Sequence, residues 1–460
     1  MSDDFKPVGV VVPAGVLGGG ISLAQVQWGL DQGAEAIAVD AGSTDSGPSC
    51  LATGISKMSR DAIKRDLAAM IRVALPAGKP ILVGTCGTAG TDAGVDWTHA
   101  IVMEIAAELK VSPKVALIYS EQSKKTVLQK LSDGKISALA PSKDLEAGVV
   151  EQCEHIVALL GPEPYIEAVQ NGADIVLGGR TTDTAILAAV PLMLGAGKPQ
   201  AWHAAKIAEC GGLCTENPRE GGVLITIGKD HFDVCPLNPD NVCTVYSVSA
   251  HMLYENSDPH RLVEPGGVLE VEAAVYEKLD GRTVRVRGSE FVEKPYTMKL
   301  EGAGVGPYQT MMIVGIQDPT VLGSLEVFME RMHERLSLII TETFPGQNDW
   351  TISLRPYGWN AVSGDAPPDG FVPREVLLML VVTAPTQDIA TRMTKACNST
   401  FFHFPIKRGI PLPSYGFPFS PAEIQIGQVY EFLLNHVVEV SEPGELVRVK
   451  YHFDARENAA

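Results

Sequence analysis

Arg180, Thr181, Thr182 and Asp183 follow the paired glycines Gly178 and Gly179, which end the apolar run Ile175–Leu177. A cation, two hydroxyls and a carboxylate directly after a strand suit a ligand cleft at the carboxyl edge of a parallel sheet. Arg180 offers a planar fork for a carboxylate or phosphate, and the glycines would let the backbone approach a bound group. The structural alternative is a plain strand-to-helix connection, with Thr182 or Asp183 capping a helix that starts near Ala185.

Other candidates occupy similar positions. Asp40, Asp45, Asp92 and Asp183 all stand at or just after strand ends. Acids gathered in one pocket raise one another's pKa and so suit proton transfer near neutral pH. Clustered oxygen ligands would equally suit Mg²⁺ or Mn²⁺. The plainer reading of Asp45 and Asp92 is that each closes its own turn. Ser43, Thr44, Thr88 and Thr182 supply hydroxyls to orient a substrate, and Glu209 lies on the connection leaving the first sheet, beside His203 and Cys210. Cys86 sits in the glycine- and hydroxyl-rich loop Gly84–Gly94. It is either a nucleophile activated by His99 or His155 or a small, inert buried thiol.

The elements that must position these residues are legible as strand-then-helix repeats. Val8–Val12, Ala36–Val39, Ile81–Val83, Val115–Ile118 and Ile175–Leu177 are continuous apolar runs, the mark of parallel strands buried on both faces. Leu23–Gln32, Arg60–Ala74, His99–Leu109, Lys125–Leu131 and Pro164–Asn171 supply the intervening helices. The alternation predicts an α/β fold with a doubly wound, mainly parallel sheet over 1–205, its strand ends along one edge. Residues 206–319 turn to alternating apolar and polar residues with hairpin signals such as Asp280-Gly281, predicting a β-rich middle domain. Residues 320–460 read helix, strand, strand, helix (Val321–Glu334, Trp350–Arg355, Arg374–Thr383, Thr386–Ala396), a small C-terminal α/β sandwich.

Bulk properties narrow the function. A net charge of −18 argues against nucleic acid, whose binding depends on Lys and Arg. No apolar stretch approaches the ~20 residues of a membrane span, and the acidic start Met1-Ser2-Asp3-Asp4 lacks the features of a signal peptide. Eight cysteines in 460 residues fit reduced thiols rather than a disulfide framework. The expected location is therefore the cytoplasm. Gly15-x-x-Gly18-Gly19-Gly20 lacks the order of a dinucleotide fingerprint, so NAD is disfavoured.

Three motifs, in order, resemble the acyclic terpene utilisation family of bacterial catabolic proteins. Gly172-Ala173-Asp174 through Arg180-Thr181-Thr182-Asp183 is similar to that family's GADVVITGR-x-x-D pattern, Glu209-Cys210-Gly211 to its ECG element, and Phe417-Pro418-Phe419-Ser420-Pro421-Ala422-Glu423-Ile424 to its FPFSPSDI element. The loop Asp40–Asp45 departs from the more aromatic family segment. The resemblance implies catabolism of acyclic carbon skeletons and leaves the reaction open.

Together these features favour a homo-oligomeric catabolic enzyme acting on a small polar carboxylate or acyl derivative by acid–base chemistry, as a lyase, hydro-lyase or isomerase. Arg180 would hold the carboxylate, and Asp45, Asp92 or Asp183 would move the proton. Two alternatives stand beside this reading. One is a hydrolase using Cys86 or a metal-activated water, and the other is a non-catalytic ligand-binding or assembly subunit.

Overall fold

Alternate residues of each central strand point into two separate cores, and this sets the architecture. In a computed structural model describing residues 5–365, 367–368, 370–406, 413 and 415–453, the five expected strands all form. Met1–Asp4, read as lacking signal-peptide features, lies outside the described residues. Strands β1 (Val8–Val12), β2 (Ala34–Asp40), β3 (Ile81–Gly84) and β4 (Val115–Tyr119) come first, followed by β5 (Ile136–Ala138), β6 (Cys153–Ala158) and β7 (Ile175–Gly178). The parallel part of the sheet runs β1-β2-β3-β7-β4. Val10, Ala38, Leu82, Ala116 and Val176 face one core, while Val11, Ile37, Val83, Leu117 and Leu177 face the other. A strand buried on both faces has no polar side to show water, which explains the unbroken apolar runs.

Helices cover both faces. Leu23–Asp31 (α1), Ser49–Thr53 (α2), Arg60–Ala77 (α3) and Asp92–Leu109 (α4) come first in the chain, and α1, α3 and α4 fill one core. Ala185–Met193 and Lys198–Ala208 fill the other. Helix α4 begins well before the His99 start expected from the sequence. Thr91 caps it by accepting from the Gly94 amide at 3.2 Å. Asp92-Ala93-Gly94 reads as loop chemistry because Gly94 weakens the helical signal of the first turn.

The segment read as β-rich adds to the same sheet. Val223–Ile227 (β8) pairs antiparallel with β1, and His231–Pro236 (β9) pairs with β8. At the opposite edge Arg448–His452 pairs antiparallel with β4. By its contacts the chain forms two compact units, Met1–Gly304 with Glu431–Ala460, and Val305–Tyr430. Strand Thr297–Ile316 carries the chain out of the first unit, and Ile424–Glu439 brings it back. Within the second unit, Tyr308–Ile316 pairs with Val376–Ala384, which pairs with Thr351–Tyr357. Helices Leu325–Thr343 and Gln387–Phe402 contribute Phe328, Leu336, Met393 and Phe401 to its core, giving the expected helix, strand, strand, helix order. Among the described residues no helix is long and apolar enough to cross a membrane.

Candidate active site

Loops leaving β1, β2, β3 and β7 line one cavity of about 660 Å³ within the first unit. Gly15 and Gly20 come from the first loop, Asp40, Ser43 and Asp45 from the second, Thr88 from the third and Asp183 from the fourth. Glu209, Cys210, Arg219, Tyr254 and Glu255 complete the wall. The β1 loop is fixed from below. The carboxylate of Asp66, fully buried on α3, accepts from the amides of Gly18, Gly20 and Ile21 at 2.9, 3.0 and 3.1 Å.

Acids dominate the floor. Asp40 is buried at the end of β2, where its Oδ2 accepts from the Gly42 amide at 3.0 Å and its Oδ1 has no hydrogen-bond partner among the described residues. Burial, reinforced by the nearby charge of Asp183, holds the Asp40 carboxyl well above the usual range. Asp183 is one-third exposed and stands 3.7 Å from Nη1 of Arg180. Burial raises its pKa, Arg180 opposes the rise, and Asp45 adds to it. The following helix is capped at Thr184 without a side-chain bond, so neither Thr182 nor Asp183 is used as its cap. Glu209, at the end of helix Lys198–Ala208, takes the Lys206 ammonium at 2.5 Å. Burial still pushes Glu209 up to about 8 against that attraction. Beneath them, Glu264 accepts from Thr184 at 2.6 Å, and burial pushes it up to about 7.

Arg180 is only 6% exposed. Its Nε donates to Glu301 at 3.0 Å and its Nη1 to the Thr181 carbonyl at 3.3 Å, so the guanidinium is committed to protein partners. Glu301 also takes Lys299 at 2.7 Å and Thr44 Oγ1 at 3.1 Å. These cations hold its carboxyl down at about 2 despite burial. Gly178, read as leaving room for a ligand, instead leaves room for protein, because a Cβ there would stand 1.6 Å from the Tyr165 hydroxyl. That hydroxyl bonds Thr181 at 2.7 Å.

The remaining sequence candidates divide between the cavity and the scaffold. Ser43 bonds the Asp45 carboxylate on the cavity wall. Thr88 lines the cavity while its hydroxyl accepts from the Lys57 amide at 3.0 Å. Thr182 Oγ1 lies 3.3 Å from Thr184 Oγ1. Asp92 is placed elsewhere, at the start of α4, where it takes Arg448 at 2.6 Å and borders a separate cavity of about 510 Å³ with Glu121. Cys86 is fully buried, and burial pushes its thiol up to about 12, conditions that disfavour a thiolate. The bases considered for it are engaged elsewhere. His155 bonds Glu121 at 2.6 Å and His99 packs on His452 with ring centroids 4.5 Å apart. His203 is buried between Ser289 at 2.8 Å and Tyr276 at 3.0 Å.

Lys57, Lys206, Arg219, Tyr254, Glu255, Glu264 and Glu301 were not singled out from the sequence. Only the fold brings them to Asp183, and no spacing relates positions 183, 206 and 264. Lys57 and Arg219 are exposed on the cavity wall and form no ion pair among the described residues, so they are the cations available to an anionic ligand. The acids can hold or move protons, Lys206 balances one of them, and the two wall cations can bind a negative group.

The sequence profile described as "Acyclic terpene utilisation family protein AtuA" matches residues 62–218 and 234–412, which include Asp183, Lys206, Glu209, Cys210 and Glu264. Comparison with curated proteins and with solved structures returned no match. Since the two matched stretches take in well over half of the sequence and the motifs around Asp183 and Glu209 fall inside them, the chain belongs to the acyclic terpene utilisation family.

Proposed function

We propose that the protein is a catabolic enzyme that transforms a small carboxylate or acyl derivative by acid–base chemistry, as a lyase, hydro-lyase or isomerase. Family membership implies a role in acyclic terpene catabolism. The observation that carries the chemistry is the pairing of Asp40 with Asp183 across one cavity, where burial raises both carboxyls but Asp40 further, because Arg180 stands beside Asp183. Asp40, out of water and with a bare Oδ1, keeps its proton and serves as general acid. Asp183, beside Arg180 and partly exposed, is the carboxyl more readily ionised of the two and serves as general base. Lys57 and Arg219 on the wall hold the substrate's negative group, and the hydroxyls of Ser43 and Thr88 orient it.

Thermal stabilisation of the purified protein by hydroxy acids, keto acids, lactones and acyl thioesters identifies the ligand class, and turnover is then assayed on that class. Asp40→Asn and Asp183→Asn are each expected to lower kcat by about 10²–10⁴-fold, the usual contribution of a positioned acid or base. Lys57→Ala and Arg219→Ala are expected to raise KM with kcat largely kept. Full turnover in both Asn variants would refute the acid–base pair. Stabilisation by a ligand that is never converted would instead favour a binding subunit.

A further inference from the structure

At the rim of the acid cluster, Glu209, Cys210 and His251 bring a carboxylate oxygen, a thiol sulfur and a ring nitrogen within 4.8 Å of one another. The chain places them by two independent routes. Glu209 caps the end of helix Lys198–Ala208 with Cys210 directly after it, and His251 opens the short turn after helix Val245–Ala250. His251 is 5% exposed, yet its Nε2 has no hydrogen-bond partner among the described residues. A buried ring nitrogen left bare is costly unless something occupies it. Tyr254 fixes the plane of the ring, stacking on it at 5.4 Å and 14°. Glu209 and Cys210 both line the cavity, so an ion held there would face the space assigned to substrate.

Charge points the same way. Asp45, Asp183, Glu255 and Glu264 act on this corner together with Glu209, against Lys206 bonded within it and Arg180 beside Asp183. Such an excess of carboxylates attracts a cation. Lys206 takes Oε1 of Glu209 and also donates to the Tyr254 carbonyl at 3.1 Å, which leaves the second Glu209 oxygen for an ion.

We propose that Glu209, Cys210 and His251 form a zinc-type divalent metal site that opens into the cavity. A sulfur, nitrogen and oxygen set suits Zn²⁺ better than the oxygen-seeking Mg²⁺ or Mn²⁺. Three protein ligands leave a fourth position for water or substrate. Ligand atoms about 2.0–2.3 Å from a tetrahedral ion stand roughly 3.3–3.8 Å apart, so the three need to draw in by about an ångström. On binding, the Cys210 thiol, and the Glu209 carboxyl where it is protonated, give their protons to solvent as the metal bonds form. The site stands on its own geometry and does not depend on the roles given to Asp40 and Asp183.

The full chain, stripped with a chelator, is titrated with Zn²⁺ by calorimetry and with Co²⁺ by absorption. One equivalent of Zn²⁺ is expected to bind, with a thiolate-to-cobalt charge-transfer band in the Co²⁺ form. Cys210→Ser should abolish that band, and Cys210→Ser and His251→Gln should each weaken Zn²⁺ binding by more than the roughly 10–100-fold that loss of an outer partner costs. Circular dichroism of the metal-free variants checks that they fold, and Zn²⁺ should raise the Tm of the parent chain but not of the variants. Absence of micromolar Zn²⁺ binding, a Co²⁺ form without the band, or undiminished affinity in both variants would overturn the site. Asp40→Asn and Asp183→Asn should still bind one equivalent of Zn²⁺ and keep the Co²⁺ band, Asp183→Asn with a modest loss of affinity from its missing charge, so failure of the acid–base reading and failure of the metal site register in different measurements.

Discussion

Arg180 and Glu301 lie 121 positions apart and meet out of water at 3.0 Å. The sequence singles out Arg180 because it follows a strand and two glycines. It cannot single out Glu301, because only tertiary folding brings that residue's strand to the end of β7. With its partner and Lys299 bound, Glu301 keeps its charge down to about pH 2. Removing one member of a buried pair strands the other, at a typical cost of about 3–5 kcal/mol. Arg180→Ala is therefore expected to lower stability by that order in denaturant unfolding. Arg180→Lys should recover little, since an ammonium cannot reproduce the fork that reaches Glu301 and the Thr181 carbonyl together. A variant that unfolded at the parent's denaturant midpoint but had a raised KM would instead show Arg180 holding substrate.

Between residue and whole chain, loops are positioned by single buried contacts that sequence spacing does not encode. The five parallel strands were legible because each is apolar on both faces. The start of α4 was not, because Gly94 weakens the first turn. Nor was the part of the site built from positions 206–264, whose residues come from separate helices and turns of a segment legible only as β-rich. Asp66 shows the same limit. In sequence it is one more polar residue of an amphipathic helix, yet it ties down the β1 loop through three amides. Asp66→Ala removes hydrogen bonds to a charged acceptor worth about 1.5–3 kcal/mol each, an upper bound because they share one group. Loss of at least about 3 kcal/mol is expected in urea unfolding, together with faster amide exchange confined at first to Gly18–Ile21. Asp66→Asn should recover part of the loss, because it keeps one oxygen acceptor.

Across the whole molecule, buried acids link folding to pH. Glu264 titrates near 4.5 when solvated and at about 7 in the fold, and Asp40 is also raised. Over that window the native state holds more protons than the unfolded state, so stability falls as pH rises. This contribution is complete below the solvated pKa and lost on passing through the folded one. His203 and His251, held neutral by burial down to about 3 and about 4, oppose this slope up to their solvated value of 6.5, so the decline in Tm of metal-free protein should appear between about pH 6.5 and pH 8, and Glu264→Gln should flatten part of it. An unchanged slope in that variant would place the proton uptake on other groups. The net charge of −18 adds self-repulsion that grows over the same range and is screened by salt, whereas the Glu264 contribution, being buried, should persist at high ionic strength.

The return of the chain to its first unit has a consequence for synthesis on the ribosome. Glu121, just past β4, and Arg448, which opens the strand pairing with β4, are 327 residues apart. At about 10 residues per second, roughly half a minute separates the emergence of β4 from that of its edge partner. Throughout that interval β4 offers unpaired amides and carbonyls, a template for the wrong strand. The inserted Val305–Tyr430 segment has meanwhile left the exit tunnel with its own core residues complete. A nascent chain stalled after Tyr430 but before Arg448 has cleared the exit tunnel should thus carry a finished insertion and an open host sheet, the stage at which a holdase would be needed most.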